Sequence, residues 1–244
     1  MGSRRRWRSC STCKNQGILD ADMRIYFVRH GQSEGDMGGD YSPSDPPLTE
    51  LGHAQSARAG LALSGQAVAA LYTSPMMRAM QTAKALHEVL GLPMQVRVEL
   101  AETYRPAWPA PPGSDEPIPK RGLTIAEART MFSAAKYPED VGLDEAWWEA
   151  HVRERREGAY ARAATALKAL RQQHADDARI VVVTHGGFGS VLLSVALECP
   201  PTDQNRFSQY NCAVSLLETM KEGARLHYQN RVDHIPEGLR TDPT

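Results

Sequence analysis

Two strongly apolar segments of the sequence each end in a histidine that is followed by glycine. The segment IYFVRHG carries His30, and the segment IVVVTHGG carries His185. Both are apolar without alternation, which is typical of central parallel strands that are covered on both faces. Ligands of open α/β sheets bind outside the carboxyl ends of the strands, so we expect the two imidazoles to face each other in one crevice. The adjoining glycines, Gly186 among them, let backbone N–H groups approach an anion, and the sequence therefore predicts a phosphate site.

Two further residues follow other strand candidates and would reach the same crevice. Ser74 is a candidate N-cap and Pro75 a candidate first helical residue, so Arg78 is expected one turn into a helix. A cation at this position interacts unfavourably with the positive end of the helix macrodipole, and a bound anion would compensate for this. The alternative is that Arg78 is an ordinary arginine exposed to solvent. Glu102 follows another strand candidate, where it could protonate a leaving group or be an ordinary surface glutamate.

Arg29, which directly precedes His30 in IYFVRHG, brings a second arginine to the same place. This set of two histidines, two arginines and one carboxylate is suited to phosphoryl transfer without a metal ion. Bidentate arginines can hold the equatorial phosphate oxygens while a neutral imidazole attacks the phosphorus in line. Metal ligation by His30 and His185 is the alternative, but a metal hydrolase would carry more carboxylates and fewer arginines beside the histidines. We therefore expect no metal and no other cofactor.

The composition limits the other functions that the chain could have. Its 244 residues with 41% hydrophobic content suffice for a full core, and a net charge of -1 offers no field that would attract nucleic acid or an anionic membrane. The sequence has no apolar run of about 18 residues that could span a bilayer. The arginines near the N-terminus lack the apolar segment of a signal peptide. A soluble, cytoplasmic protein is expected, with neither nucleic acid nor a membrane as a partner.

The chain is expected to hold one folded domain over residues 23–235. Residues 1–22 lack hydrophobic periodicity and are expected to be a disordered leader or a segment foreign to the domain. Cys10 and Cys13 form a C-x-x-C pair there, but no second pair follows at zinc-site spacing, so an inert pair is expected. Residues 103–142 include a proline-rich stretch and are a candidate lid or specificity loop, with a passive surface excursion as the alternative. Residues 236–244 are expected to form a C-terminal tail.

Strand and helix patterns alternate through this domain, which predicts an α/β fold. Right-handed crossovers then give a mostly parallel central sheet with helices on both faces. The short connection between the last two strands suits a hairpin, so one edge is expected to be antiparallel. The expected strands are 24–28, 69–72, 95–98, 179–183, 213–218 and 225–228. The expected helices are 49–63, 75–90, 143–173 and 189–197, with a short helical piece at 124–135.

Six motifs follow one another in a characteristic order. They are VRHGQS after the first strand, DPPLTELGHAQ at the first helix, TSPMMRAMQTAKAL, LAE at residues 100–102, VVVTHGG and YNCAVSLLE. With this combination, the sequence from Met23 to about Ile235 resembles the histidine phosphatase superfamily, which includes cofactor-dependent phosphoglycerate mutase. The resemblance implies a three-layer phosphoglycerate mutase-like fold with a lid insertion. It also implies a metal-independent phosphatase that acts on a small phosphorylated substrate.

The resemblance assigns a role to each candidate residue. His30 would be the nucleophile that becomes phosphohistidine, and we expect its other ring nitrogen to donate to a nearby carbonyl, which fixes the tautomer. Arg29, Arg78 and His185 would complete the phosphate pocket, with His185 as a charged donor to the transition state. Glu102 would protonate the leaving oxygen and then activate the water that hydrolyses the intermediate. The further substrate contacts are expected at Gln32, Ser33, Asp36 and Gly186.

Asp36 stands where the family commonly has an asparagine that donates to the phosphate. An ionised aspartate would repel phosphate and could only accept hydrogen bonds. We therefore expect this side chain to be turned away, to be protonated or to recognise a cationic or hydroxyl part of the substrate. The alternative is an aspartate that points at water from a glycine-rich loop.

The segment after Glu102 also departs from the family, because the usual glycine and Trp-Glu-Gly sequence is missing. The natural substrate therefore stays open. A phosphatase is favoured over a phosphoglycerate mutase, since the characteristic mutase segment after the acid residue is absent. A catalytically weak protein that binds a phosphate ligand is the alternative from another functional class. The oligomeric state also stays open, a homodimer included.

Overall fold

In a computed structural model, the residues described are 23–37, 45–103, 113, 122–139, 141–142, 144, 154–174, 177–202 and 205–241. The expected leader with its C-x-x-C pair lies outside them, as does most of the proline-rich stretch of the expected insertion. The strands are β1 (Met23–Arg29), β2 (Ala70–Thr73), β3 (Met94–Val96), β4 (Ala135–Lys136), β5 (Arg179–Thr184), β6 (Val214–Thr219) and β7 (Ala224–Arg231). The α-helices are α1 (Glu50–Leu63), α2 (Met77–Leu90), α3 (Ile125–Met131), α4 (Arg156–Gln172) and α5 (Gly186–Ala196).

The seven strands form one sheet in the order β4-β3-β2-β5-β1-β6-β7. Pairing is parallel from β4 through β1 and antiparallel between β1 and β6 and between β6 and β7. The expected mostly parallel sheet with one antiparallel edge is confirmed. The order also places β1 and β5, which carry the two His-Gly motifs at their carboxyl ends, next to each other in the centre of the sheet.

Helices cover both faces of the sheet, which gives the three expected layers. On one face, Tyr26 and Val28 of β1 pack in a cluster with buried residues of α1 and α2. On the other face, Ile25 and Phe27 pack with buried residues of α4 and α5. Successive side chains of a strand point to opposite faces, so an unbroken apolar run supplies both clusters. This explains why β1 shows no polar alternation.

Two helices begin elsewhere than the sequence predicts. α2 begins at Met77 with Met76 as its N-cap, instead of the expected Ser74. The Ser74 hydroxyl accepts from the backbone N–H of Met76 at 3.3 Å and lies 2.7 Å from Nε2 of His185. α5 begins at Gly186, three residues earlier than expected. Glycine is a poor helix former. However, the Glu102 carboxylate binds the N–H groups of Gly187 and Phe188 in the first turn of this helix.

Other differences concern short or partly described elements. β3 ends at Val96, and Val98–Leu100 forms a 3-10 turn in place of the expected end of the strand. β4 was not predicted, because two residues are too few to show a hydrophobic pattern. α4 covers the second half of the expected helix 143–173, and residues 145–153 lie outside the described residues.

Parts of the expected insertion and of the expected C-terminal tail are packed against the core. α3, inside the expected insertion, begins with a capping box between Thr124 and Glu127. In the expected C-terminal tail, the carbonyl of Leu239 accepts a hydrogen bond of 2.7 Å from the Gln55 side chain. None of the helices in the described part of the chain combines the length and the apolar character that crossing a membrane requires.

Candidate active site

The two expected histidines lie side by side at the carboxyl ends of β1 and β5. In the parallel pairing Arg29 is opposite Thr184, and the next residue of each strand is a histidine. The ring centroids of His30 and His185 are 5.1 Å apart, with 61° between the ring planes. Both side chains are buried. The expectation that the two imidazoles face each other is therefore confirmed.

His30 has a defined tautomer because its two ring nitrogens have different partners. Nδ1 lies 2.7 Å from the carbonyl oxygen of Gly31, which can only accept, so Nδ1 carries the proton. Nε2 carries the lone pair and accepts a hydrogen bond of 3.1 Å from Nε of Arg78. Burial, Arg78 and Arg29 lower the pKa of His30 to about 3, which leaves the ring neutral at neutral pH. The expected hydrogen bond to a carbonyl is thus confirmed.

Arg78 is the second residue of α2, near the position that the sequence predicts, and its guanidinium group reaches both His30 and a carboxylate. Nη1 lies 3.9 Å from Oδ1 of Asp45. Both carboxylate oxygens of Asp45 also accept from the backbone N–H of Met77, each at 3.0 Å. Asp45 therefore caps α2 from outside the helix and compensates a cation that opposes the macrodipole.

Asp45 is a charged group of the site that the sequence analysis missed. Burial raises its pKa to about 6, although Arg78 and the hydrogen bond from Met77 oppose this shift. The aspartate belongs to the motif DPPLTELGHAQ, but its contact crosses more than thirty residues to α2. No helix or strand pattern links the two positions, so the sequence alone gives no sign of this pairing.

Arg29 and Asp36 form an ion pair within the site. Nη2 of Arg29 donates to Oδ1 of Asp36 at 3.0 Å, and Nη1 donates to the carbonyl of Gln209 at 2.6 Å. Oδ2 of Asp36 accepts from the backbone N–H and from the hydroxyl of Ser33, at 2.7 and 2.8 Å. The Arg29 side chain is only 2% exposed, so these contacts hold it firmly at the end of β1.

These contacts bear on two of the alternatives for Asp36, while recognition of a cationic or hydroxyl part of the substrate stays a prediction. Burial alone would raise its pKa, but His30, the hydrogen bonds from Ser33 and Arg29 together lower the pKa below its ordinary value. Asp36 is therefore ionised at neutral pH, and the expectation of a protonated side chain is wrong. The expectation of an aspartate directed at water is also wrong, because both carboxylate oxygens are bound by protein groups. The side chain is turned towards Arg29.

The other expected substrate contacts are also partly engaged by the protein. The Gln32 side chain accepts from the hydroxyl of Thr49 at 2.8 Å, and the Ser33 hydroxyl donates to Asp36. A Cβ on Gly186 would lie 3.5 Å from Nε of Arg29, so the glycine backbone lies directly against this arginine. Gly186 is thus close to the candidate phosphate pocket, whereas the roles of Gln32 and Ser33 stay predictions.

His185 is completely buried and has one hydrogen-bond partner among the described residues. Its Nε2 lies 2.7 Å from the hydroxyl of Ser74, while its Nδ1 has none. Burial and then the positive charge of Arg78 lower the pKa of His185 well below its ordinary value. This shift favours a neutral ring in the structure. The expected role of His185 as a charged donor concerns the transition state, and it stays a prediction. A neutral ring can donate only through the one nitrogen that carries its hydrogen.

The Glu102 carboxylate lies at the N-terminus of α5, the helix that begins directly after His185. Oε2 accepts from the backbone N–H of Gly187 at 3.1 Å, and Oε1 accepts from Phe188 at 2.7 Å and from Thr103 at 2.8 Å. A carboxylate is the favoured cap for the positive end of a helix dipole. Glu102 is therefore a fixed member of the site rather than a free surface glutamate.

The described residues contain no group of three or more His, Cys, Asp or Glu side chains that is placed to hold a metal ion. The alternative raised by the sequence is that His30 and His185 bind a metal ion. This would put the metal cation beside the positive charges of Arg29 and Arg78. Such a donor set suits an anion better than a cation.

Comparison with known proteins agrees with this geometry. The sequence matches the family model "Histidine phosphatase superfamily (branch 1)" over residues 25–117 and 120–232. It is 27% identical to glucosyl-3-phosphoglycerate phosphatase of Mycolicibacterium vanbaalenii, over 72% of this chain and 75% of the relative. It is 29% identical to adenosylcobalamin/alpha-ribazole phosphatase of Salmonella typhimurium, over 73% of this chain and 81% of the relative.

The fold is similar to that of a solved relative. The native structure of a mycobacterial glucosyl-3-phosphoglycerate phosphatase superimposes with a TM-score of 0.62 at 25% identity, and the match covers 86% of this chain and all of that one (100%). The three-layer fold that the sequence resemblance implied is thereby confirmed.

Proposed function

The chain belongs to the histidine phosphatase superfamily, branch 1, as a phosphatase, and we propose that it hydrolyses a phosphomonoester through a phosphohistidine on His30. The observation that carries this proposal is the tautomer of His30. Its Nδ1 hydrogen is bound by the Gly31 carbonyl, so the lone pair of Nε2 is available beside two arginines. A neutral, oriented imidazole is what an attack on phosphorus requires.

In the first step, Nε2 of His30 forms a bond to phosphorus and the ester P–O bond breaks. In the structure, Nε of Arg78 donates a hydrogen bond to Nε2 of His30. This N–H must donate to a phosphate oxygen instead before the lone pair of Nε2 can attack. Arg29 and Arg78 hold the equatorial oxygens, and His185 donates one hydrogen bond. Glu102 in its acid form gives its proton to the leaving oxygen. Oε2 suits this exchange because a single backbone N–H binds it, whereas two bind Oε1.

In the second step, Glu102 acts as a base towards water. The carboxylate takes a proton from the water, the hydroxyl oxygen bonds to phosphorus, and the P–N bond to His30 breaks. Inorganic phosphate leaves, and both Glu102 and His30 return to their starting states. The position of Glu102 on the N–H groups of α5 supports this role, because the carboxylate is held at one place for both steps.

We infer that the substrate is a small phosphorylated metabolite. The named relatives act on glucosyl-3-phosphoglycerate and on a ribazole compound, both small molecules. Identities of 27% and 29% do not select one of these substrates for this chain. Both of these relatives are phosphatases, which favours hydrolysis over the mutase alternative.

Hydrolysis of a chromogenic aryl phosphate tests the proposal. We expect turnover without added metal that is unchanged by a chelator and inhibited by vanadate, which resembles the transition state of phosphoryl transfer. A pure phosphate-binding protein would give no turnover. Activity that disappears in chelator and returns with a divalent cation would contradict the metal-independent mechanism.

Asp36→Asn is expected to strengthen the binding of inorganic phosphate about tenfold. The substitution removes a negative charge that now pairs with Arg29, so more of the arginine's charge is available to the anion. The inhibition constant of phosphate against an aryl ester measures the effect. Asp233→Asn is the matched control. Asp233 also pairs with an arginine, but it is exposed and lies just after the end of β7. An unchanged inhibition constant for Asp36→Asn would show that Asp36 does not limit phosphate binding.

A further inference from the structure

Arg162 of α4 is a charged residue near the site that none of the preceding steps uses. Its Nη1 donates to the carbonyl oxygens of Glu99 and Ala101, at 2.8 and 2.7 Å. Ala101 directly precedes Glu102, so one guanidinium nitrogen holds the backbone from which the candidate acid projects. The side chain is only 16% exposed, and these contacts are therefore largely shielded from water.

The flat face of the same guanidinium group lies over an aromatic ring. The central carbon of Arg162 is 3.8 Å from the centroid of the Phe188 ring, which is completely buried. The backbone N–H of Phe188 donates to Oε1 of Glu102 at 2.7 Å. Arg162 thus contacts the residue before Glu102 and also the residue that binds the Glu102 carboxylate.

The orientation of Arg162 is fixed by a carboxylate on the same side of the sheet. Nε and Nη2 donate to the two oxygens of Glu154, at 2.8 and 2.5 Å. A bidentate pair fixes the plane of a guanidinium group, and this plane directs the remaining N–H groups at the carbonyls and the flat face at the ring. Lysine cannot reproduce this set of contacts, because it carries a single ammonium group.

We propose that Arg162 is a positioning residue for Glu102, which it holds in line with the leaving oxygen by joining the Glu102 segment to the first turn of α5. The proposal rests on the proposed function, because it gives Arg162 its effect through proton transfer by Glu102. Glu154 supports the same contact by orienting Arg162. A displacement of about 1 Å in a catalytic group can lower a rate about 100-fold.

The leaving group of the substrate separates this role from general structural support. An aryl phosphate with an acidic phenol needs little protonation, whereas an unactivated alkyl phosphate depends on the acid. We expect Arg162→Met to lower kcat/KM about 100-fold for the alkyl ester and less than about fivefold for the aryl ester. Arg162→Lys is expected to lie close to Arg162→Met. Arg171→Met, on the exposed surface of α4, is the matched control and should leave both substrates unaffected.

A double-mutant cycle with Glu102→Gln tests the path of the effect. If Arg162 acts through Glu102, Arg162→Met should lower alkyl ester hydrolysis less than about threefold in the Glu102→Gln background. Effects that multiply fully, or equal losses for both esters, would overturn the proposal. Where Arg162→Met does not fold, Glu154→Gln loosens the same guanidinium group, and it should give a smaller loss with the same preference for the alkyl ester.

The outcome for Glu102→Gln alone separates the two proposals. If this variant hydrolyses alkyl and aryl esters with equal losses, Glu102 is not the acid, and the proposed function fails at that step. If it loses the alkyl ester selectively while Arg162→Met does not, the role of Glu102 stands and that of Arg162 is overturned.

Discussion

Replacement of His30 by alanine is expected to lower kcat/KM by at least about 10⁴-fold and to abolish the phosphoenzyme. His30 has a ring whose Nδ1 hydrogen is bound by the Gly31 carbonyl and whose Nε2 lone pair faces Arg78, whereas Nε2 of His185 contacts Ser74. Removal of the ring should also release Arg78 from its contact with Nε2. The variant should therefore still bind inorganic phosphate while losing turnover.

The measurement is a short reaction with a ³²P-labelled ester, quenched in alkali and in acid. A phosphorus–nitrogen bond survives alkali and breaks in acid, so labelled wild-type protein should lose its label only after the acid quench. His53→Ala removes an exposed histidine of α1 and is the control. Full activity of the His30 variant, or a label that persists in it, would contradict the assignment of the nucleophile.

Replacement of Gly187 by alanine is expected to lower kcat/KM for alkyl phosphates by about 100- to 1000-fold while the fold is retained. A Cβ at this position would lie 2.7 Å from Oε1 of Glu102 and 3.2 Å from its Cδ. The carboxylate is the flexible partner in this clash, so it must leave the N-terminus of α5. Alanine is otherwise a better helix former than glycine, and thermal stability should change little.

Steady-state kinetics on alkyl and aryl phosphates, together with a thermal unfolding curve, measure this prediction. Gly65→Ala is the matched control, because a Cβ there meets no atom within 4 Å. The Gly187 variant should lose the alkyl ester far more than the aryl ester. Retained alkyl ester hydrolysis would show that the Glu102 carboxylate is not needed at the position it takes here.

Much of the fold and the centre of the site followed from short-range patterns. Unbroken apolar runs identified β1 and β5, and the rule that ligands bind at the carboxyl ends of parallel strands brought His30 and His185 together. Arg78 followed from the start of α2, although the true N-cap is Met76 and not Ser74. In each case the relevant information lies within about ten residues of the chain.

The polar contacts of the site could not be predicted in the same way. Asp36 binds Arg29, Asp45 binds the start of α2, and Glu102 caps α5. The last two contacts join segments far apart in the sequence, and all three depend on side-chain rotamers that hydrophobic periodicity does not encode.

The position of β1 in the sheet affects how the protein can acquire its structure during synthesis. β1 is the first of the described strands, but its neighbours are β5 and β6, so Arg24 pairs with Arg179 on one side and with Glu218 on the other. While the ribosome is still making the middle of the chain, an apolar strand remains with both edges unpaired, which favours slow folding and exposure to aggregation. His30 and His185 can therefore come together only after β5 and the residue that follows it have emerged.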